Sequence, residues 1–226
     1  MSSEPRKPEY ITTIAGVKET ILFGVADLDF WRARLKSENL FPFNANGKVQ
    51  ILISGTQFVW SGIPTRELVI SLPICTRADA NTANAAYLVC AYNSSRMLAF
   101  AERAFFQTPY DWGKTEISER IPAFIDFADG TGAMFRAHMV GTPARWRGEE
   151  ELVEGAIYLP QSNNVFYARL GGYTETYAFA PTDKIEIKAS RQLPVFDWLA
   201  QSHFTPQEWR LRNNATHARS KTYKRI

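Results

Sequence analysis

From Ala123 onward the chain is a succession of short apolar segments broken every few residues by turn formers, and this rhythm constrains the fold more than any other feature. Ala123–Ala128 and Ala133–Val140 flank Asp129-Gly130-Thr131-Gly132, a hairpin signal whose glycines supply backbone angles other residues avoid. Gly155–Leu159, Val165–Leu170, Thr174–Phe179 and Lys184–Lys188 follow, separated by Gln161–Asn164, by Gly171-Gly172 and by Pro181-Thr182-Asp183. Connections this short join antiparallel neighbours.

The first half mixes strands with helices. Lys18–Val25, Val49–Ser54, Glu67–Ile74 and Ala86–Asn93 are rich in Ile, Leu and Val and predict strands. Asp27 predicts the cap of a short helix in which Leu28, Trp31 and Leu35 recur at helical spacing, before a break at Pro42-Phe43-Asn44. Ser94 and Ser95 are cap candidates for a second helix with Met97, Phe100, Ala101, Ala104 and Phe105 on one face, ended by Pro109. A last helix is predicted from Pro194 through Val195, Phe196, Trp198 and Leu199. The expected fold class is α+β, mainly antiparallel β with two or three helices, as one domain over residues 1–209.

With 226 residues, 45% of them apolar and 13% aromatic, the chain can bury a core without disulfide or metal staples. Cys75 and Cys90 lack the spacing of a zinc or redox pair and suit buried thiols of a cytoplasmic protein. The polar start MSSEPRKPEYITT has no apolar run of a signal peptide, and no membrane span is expected. Arg210, Arg212, Arg219, Lys221, Lys224 and Arg225 crowd the last 17 positions, 210–226, without an acid, which predicts a solvated or disordered basic tail and leaves the rest mildly acidic. No zinc finger or RNA-binding pattern accompanies that tail, so a nucleic-acid partner is not expected. GxSxG, Walker, HExxH and GxGxxG motifs are absent and His138, His203 and His217 lie far apart, so neither metal nor cofactor is expected.

Arg103–Lys114, RAFFQTPYDWGK, resembles the active-site segment of acetoacetate decarboxylase-like proteins. Ile21–Phe43 and Val49–Ile74 are similar to that superfamily's first strand, helix and "ISxP" hairpin, so the resemblance spans about the N-terminal half. It implies a cone-like β-barrel with a central cavity, in which the decarboxylases bind a β-keto acid as a Schiff base on lysine. In those enzymes a lysine pair follows the proline; here Pro109 precedes Tyr110 and Asp111, and Lys114 stands three residues beyond the first lysine's place. Of the family's two carboxylates one position is Leu52 and the other is Glu67.

The resemblance therefore implies a changed chemistry: an enzyme that acts by proton transfer on a small carbonyl or carboxylate substrate, as isomerase, dehydratase, cyclase or non-covalent decarboxylase. Glu67 and Asp111 are the expected acid and base, and Tyr110 the donor to an enolate oxygen. Arg66, Trp112, His138 and Lys114 are expected to bind the substrate. The alternative is a non-catalytic protein that binds a small molecule in the same cavity. In either case a homo-oligomer is expected.

Overall fold

The first long strands carry apolar residues on both faces of their central stretches because one face packs in a core and the other lines a cavity. This is seen in the computed structural model, which describes residues 8–78, 80–190 and 192–225. β1 (Tyr10–Asp27) leads into α1 (Leu28–Leu35), where Asp27 caps the first turn by accepting from Phe30 N at 2.7 Å. After β2 (Phe41–Pro42), β3 (Lys48–Trp60) and β4 (Ile63–Cys75) form a hairpin, and β5 (Ala85–Asn93) pairs back on β4. Val49, Ile51 and Ile53 on β3 alternate with Leu52, Ser54 and Thr56; the first set is buried in a core and the second faces a cavity. On β4, Leu68, Ile70 and Leu72 likewise alternate with Glu67, Val69 and Ser71.

α2 (Arg96–Phe106) begins at Ser95, whose hydroxyl accepts from Leu98 N at 3.4 Å, and ends at Gln107 in the left-handed conformation. Three short strands follow, β6 (Tyr110–Trp112), β7 (Lys114–Ile117) and β8 (Phe124–Asp129), and then β9 (Gly132–His138). β10 (Arg147–Tyr158), β11 (Asn164–Ala178), β12 (Lys184–Ile187), α3 (Pro194–Gln201), β13 (Thr205–Ser220) and β14 (Tyr223–Lys224) complete the chain.

β4, β3, β1, β13, β11, β10 and β5 are hydrogen-bonded in that order, and the β4–β5 pairing closes them into a ring. Its ladders are antiparallel except where β5 meets β10; β6 also adds to β5 in parallel. A second sheet, β12-β9-β8-β7, lies with α1 and α3 against the outer face of the ring. Phe127 and Phe135 of that sheet stack on Phe196 of α3 with centroids 5.4 and 6.3 Å apart. Gly55 admits the second sheet to close range, since a Cβ there would meet Ile117 Cγ2 at 2.4 Å.

Three expectations are corrected. The segment from Arg210 to Ser220 is not a solvated tail but part of β13, between β1 and β11. Trp209, Leu211, Ala215 and Ala218 are buried there, so its arginines belong to a barrel wall. Gly171-Gly172 is not a turn between two strands: β11 runs through it, and Gly172 at φ +151° has little room for a side chain, since a Cβ there would meet Ala215 Cα at 3.1 Å. The predicted apolar face of α2 does not pack inward, apart from Ala101. Met97, Phe100 and Phe105 are exposed, and Leu98 and Ala99 are buried instead.

Candidate functional site

The ring encloses a cavity of about 320 Å³. Its lining is mostly apolar, with Ile21, Leu52, Val69, Leu88, Ile157 and Leu170 contributing, and among the described residues no lysine reaches it.

Strand register draws a polar belt across this apolar wall. Arg212 on β13 stands opposite Glu19 on β1, Glu19 opposite Thr56 on β3, Thr56 opposite Glu67 on β4, and Glu67 opposite Asn93 on β5. Directly opposed residues on neighbouring strands have side chains about 5 Å apart, so the belt is continuous. The order is invisible along the chain, where Glu19 and Arg212 are 193 positions apart.

At one end of the belt the charges are closely matched. Arg212 donates through Nη1 to Glu19 at 2.9 Å, through Nη2 to Glu151 at 2.6 Å and through Nε to Thr174 Oγ1 at 2.7 Å. Ser54 donates to the other oxygen of Glu19 at 2.7 Å, and His217 Nε2 lies 3.5 Å from the first. Burial disfavours the charge on Glu19, but His217, Arg212 and Ser54 outweigh it and hold the carboxyl down at about 2. The ion pair has side chains only 4% exposed on both partners, so the charges keep each other from being stranded without water.

The other end is open. Glu67 accepts from Tyr110 Oη at 3.1 Å and from Asn93 Nδ2 at 2.9 Å, both neutral donors, and among the described residues no lysine or arginine pairs with it. Burial, joined by the charge of Glu102, pushes its carboxyl up to about 7. Burial and the same two carboxylates raise the Tyr110 hydroxyl well above its ordinary value. Glu102 itself, on α2, is held by Arg219 and by the Thr108 hydroxyl at 2.9 Å. Between the two ends Thr56 is 5% exposed and its hydroxyl has no hydrogen-bond partner among the described residues. A carboxyl that changes charge near neutrality beside a fixed hydroxyl donor, in a cavity mostly lined by hydrocarbon, can take up or deliver a proton and support a developing oxyanion.

Of the residues predicted from sequence, Glu67 and Tyr110 come together here. Asp111 does not: it is 69% exposed and pairs with Arg103 at 3.2 Å, because β6 alternates and turns Asp111 away as Tyr110 turns in. Arg66 is exposed and donates through Nε to Gln57, and Lys114 pairs with Glu116 at 2.8 Å, both outside the cavity. Trp112 lies under the Arg96 guanidinium at 4.5 Å. His138 belongs to the second sheet rather than the barrel wall and is bonded to Asp126 at 2.8 Å. Sequence reasoning missed Glu19, Arg212, Glu102, Arg219 and Thr56 as cavity residues. The alternation Trp209-Arg210-Leu211-Arg212 was the signal for the second of these. Among the described residues no cluster of His, Cys, Asp or Glu is arranged to hold a metal, and no helix is long and apolar enough to cross a membrane.

No family model matches the chain, and no curated protein matches it in sequence. Solved structures do. The enduracididine biosynthesis enzyme MppR, complexed with the condensation product of pyruvate and imidazole 4-carboxaldehyde, superposes with a TM-score of 0.63 at 9% identity, over 95% of this chain and 88% of that one. An acetoacetate decarboxylase-like enzyme from Sphingomonas wittichii gives 0.60 at 11% identity, over 98% and 95%. Acetoacetate decarboxylase from Legionella pneumophila gives 0.61 at 9% identity, over 100% and 92%. The chain has the acetoacetate decarboxylase-like fold.

Proposed function

We propose that the chain is an enzyme that binds a small carbonyl compound in the barrel cavity and moves a proton on it, with Glu67 as the acid or base and Tyr110 as the donor to the enolate oxygen. The observation that carries this reading is the half-buried Glu67 carboxyl facing the cavity, bonded by Tyr110 at 3.1 Å and poised at about 7. Proton abstraction next to a carbonyl fits isomerisation, dehydration or cyclisation, and needs no amine. The cavity lining supports that choice, because Tyr110 and Glu67 reach into it and Lys114 does not. The pyruvate complex of MppR shows that the same fold accommodates a small keto acid, which agrees with a carbonyl ligand. The exposed apolar face of α2 supports association of the chain with further copies of itself.

The test is solvent-deuterium wash-in: hydroxyacetone is incubated in D2O and its carbon-bound protons are followed by NMR. Wash-in above background that is lost in Glu67→Gln is the expected result. Equal wash-in by both proteins, or a borohydride-fixed adduct on a lysine, would overturn the reading.

A further inference from the structure

The arginines of the cavity suggest an anion site, but each is paired with a carboxylate, although Arg219 Nε and the neighbouring His217 Nε2 have no hydrogen-bond partner among the described residues. Arg210 donates through Nε to Glu208 at 2.6 Å, Arg212 is shared by Glu19 and Glu151, and Arg219 pairs with Glu102. Against these three cations stand Glu19, Glu102, Glu151 and Glu208, and then Glu67, which has neutral partners only. An anionic ligand entering here meets no uncompensated positive side chain among the arginines and faces Glu67. A cation meets its counter-ion.

A second, independent observation lies next to that acid. Thr56 is registered opposite Glu67, faces the cavity and has a buried hydroxyl that nothing among the described residues bonds. Leaving such a group unmatched costs about 1–3 kcal/mol, so it marks a place where a ligand atom restores a bond. Phe58 and Trp60 follow Thr56 at alternate positions of β3 and line the same cavity. Phe58 is the nearer ring, one inward position from Thr56, while Trp60 lies further along the strand; an aromatic ring near a carboxylate and a hydroxyl acceptor forms surroundings in which an ammonium is bound.

Resting on the proton-transfer reading, we propose that the carbonyl substrate carries a cationic nitrogen, an ammonium or amidinium, seated among Glu67, the Thr56 hydroxyl, Phe58 and Trp60. The positive charge favours the ionised, proton-accepting form of Glu67, so the substrate itself readies the base. A keto acid lacks this group.

Three ketones of similar size separate the possibilities: aminoacetone as the cation, hydroxyacetone as the neutral ligand and pyruvate as the anion. Dissociation constants are measured by ligand-observed NMR at neutral pH on the full chain. Aminoacetone is expected to bind about tenfold more tightly than hydroxyacetone, with pyruvate weakest. In Glu67→Gln the aminoacetone preference is expected to shrink to about twofold or less while hydroxyacetone still binds, and Thr56→Val is expected to weaken aminoacetone more than hydroxyacetone. Pyruvate binding more tightly than aminoacetone overturns the cationic substrate and leaves the hydroxyacetone wash-in result untouched. Failure of all three to bind removes both readings.

Discussion

Glu19 and Glu67 face one cavity from strands separated by β3 alone, and their surroundings hold them in opposite states. Glu19, with Arg212 and His217 beside it, is held at about 2; at Glu67 burial and the charge of Glu102 outweigh the two neutral donors and push the carboxyl up to about 7. Under the proposed function, two carboxyls driven apart in this way have different roles, Glu19 as fixed charge and Glu67 as proton carrier.

Removing the Tyr110 hydroxyl tests the second role. Tyr110→Phe keeps the ring that packs on β5 and deletes the donor at 3.1 Å from Glu67. Hydroxyacetone wash-in is expected to fall ~10²- to 10³-fold, the usual loss for one oxyanion donor, with an unchanged fold by circular dichroism.

The fixed charge is tested by stability. Arg212→Met strands Glu19 and Glu151 in the wall, and such a break in a buried pair costs about 3–5 kcal/mol by denaturant unfolding. Adding Glu19→Gln to the variant is expected to recover part of the loss.

Asp111 serves as the contrasting acid. Its pair with Arg103 is largely in solvent, so Asp111→Asn is expected to change stability by less than about 1 kcal/mol and to leave wash-in at the wild-type rate. A large loss of wash-in would return Asp111 to the site.

What was legible in the sequence was local. The Asp27 and Ser95 caps, the Asp129–Gly132 hairpin and the alternation placing Glu67 beside Leu68 and Ile70 are written in residues a few positions apart. The inward stripe of α2, Leu98, Ala101, Glu102 and Phe106, has the same helical spacing as the predicted one, but the acid within it disguises it as a polar side. The arginines of β13 read as a solvated tail because the carboxylates that neutralise them come from β1, β10 and α2, and only closure of the ring brings those strands together. Tyr110 and Asp111 are equivalent in sequence, and the phase of a three-residue strand separates them.

The two carboxyls also predict a pH dependence of stability with two signs. Glu19, lowered in the folded state, contributes stability that is present above its unfolded value of 4.5 and is lost as pH falls through about 2. Glu67, raised, makes the folded protein bind more protons than the unfolded chain between 4.5 and about 7, so stability declines as pH rises across that window. The decline is on the order of 3 kcal/mol, and Glu67→Gln is expected to abolish it in unfolding curves recorded between these limits.

The proposed chemistry requires Glu67 to be a half-buried carboxyl that pairs with no lysine or arginine among the described residues and changes charge near neutrality. Carboxyl carbon NMR on protein labelled at glutamate measures this directly, the signal being assigned by its absence in Glu67→Gln. A midpoint near 7 is the predicted result, and a midpoint at or below the ordinary 4.5 would contradict it.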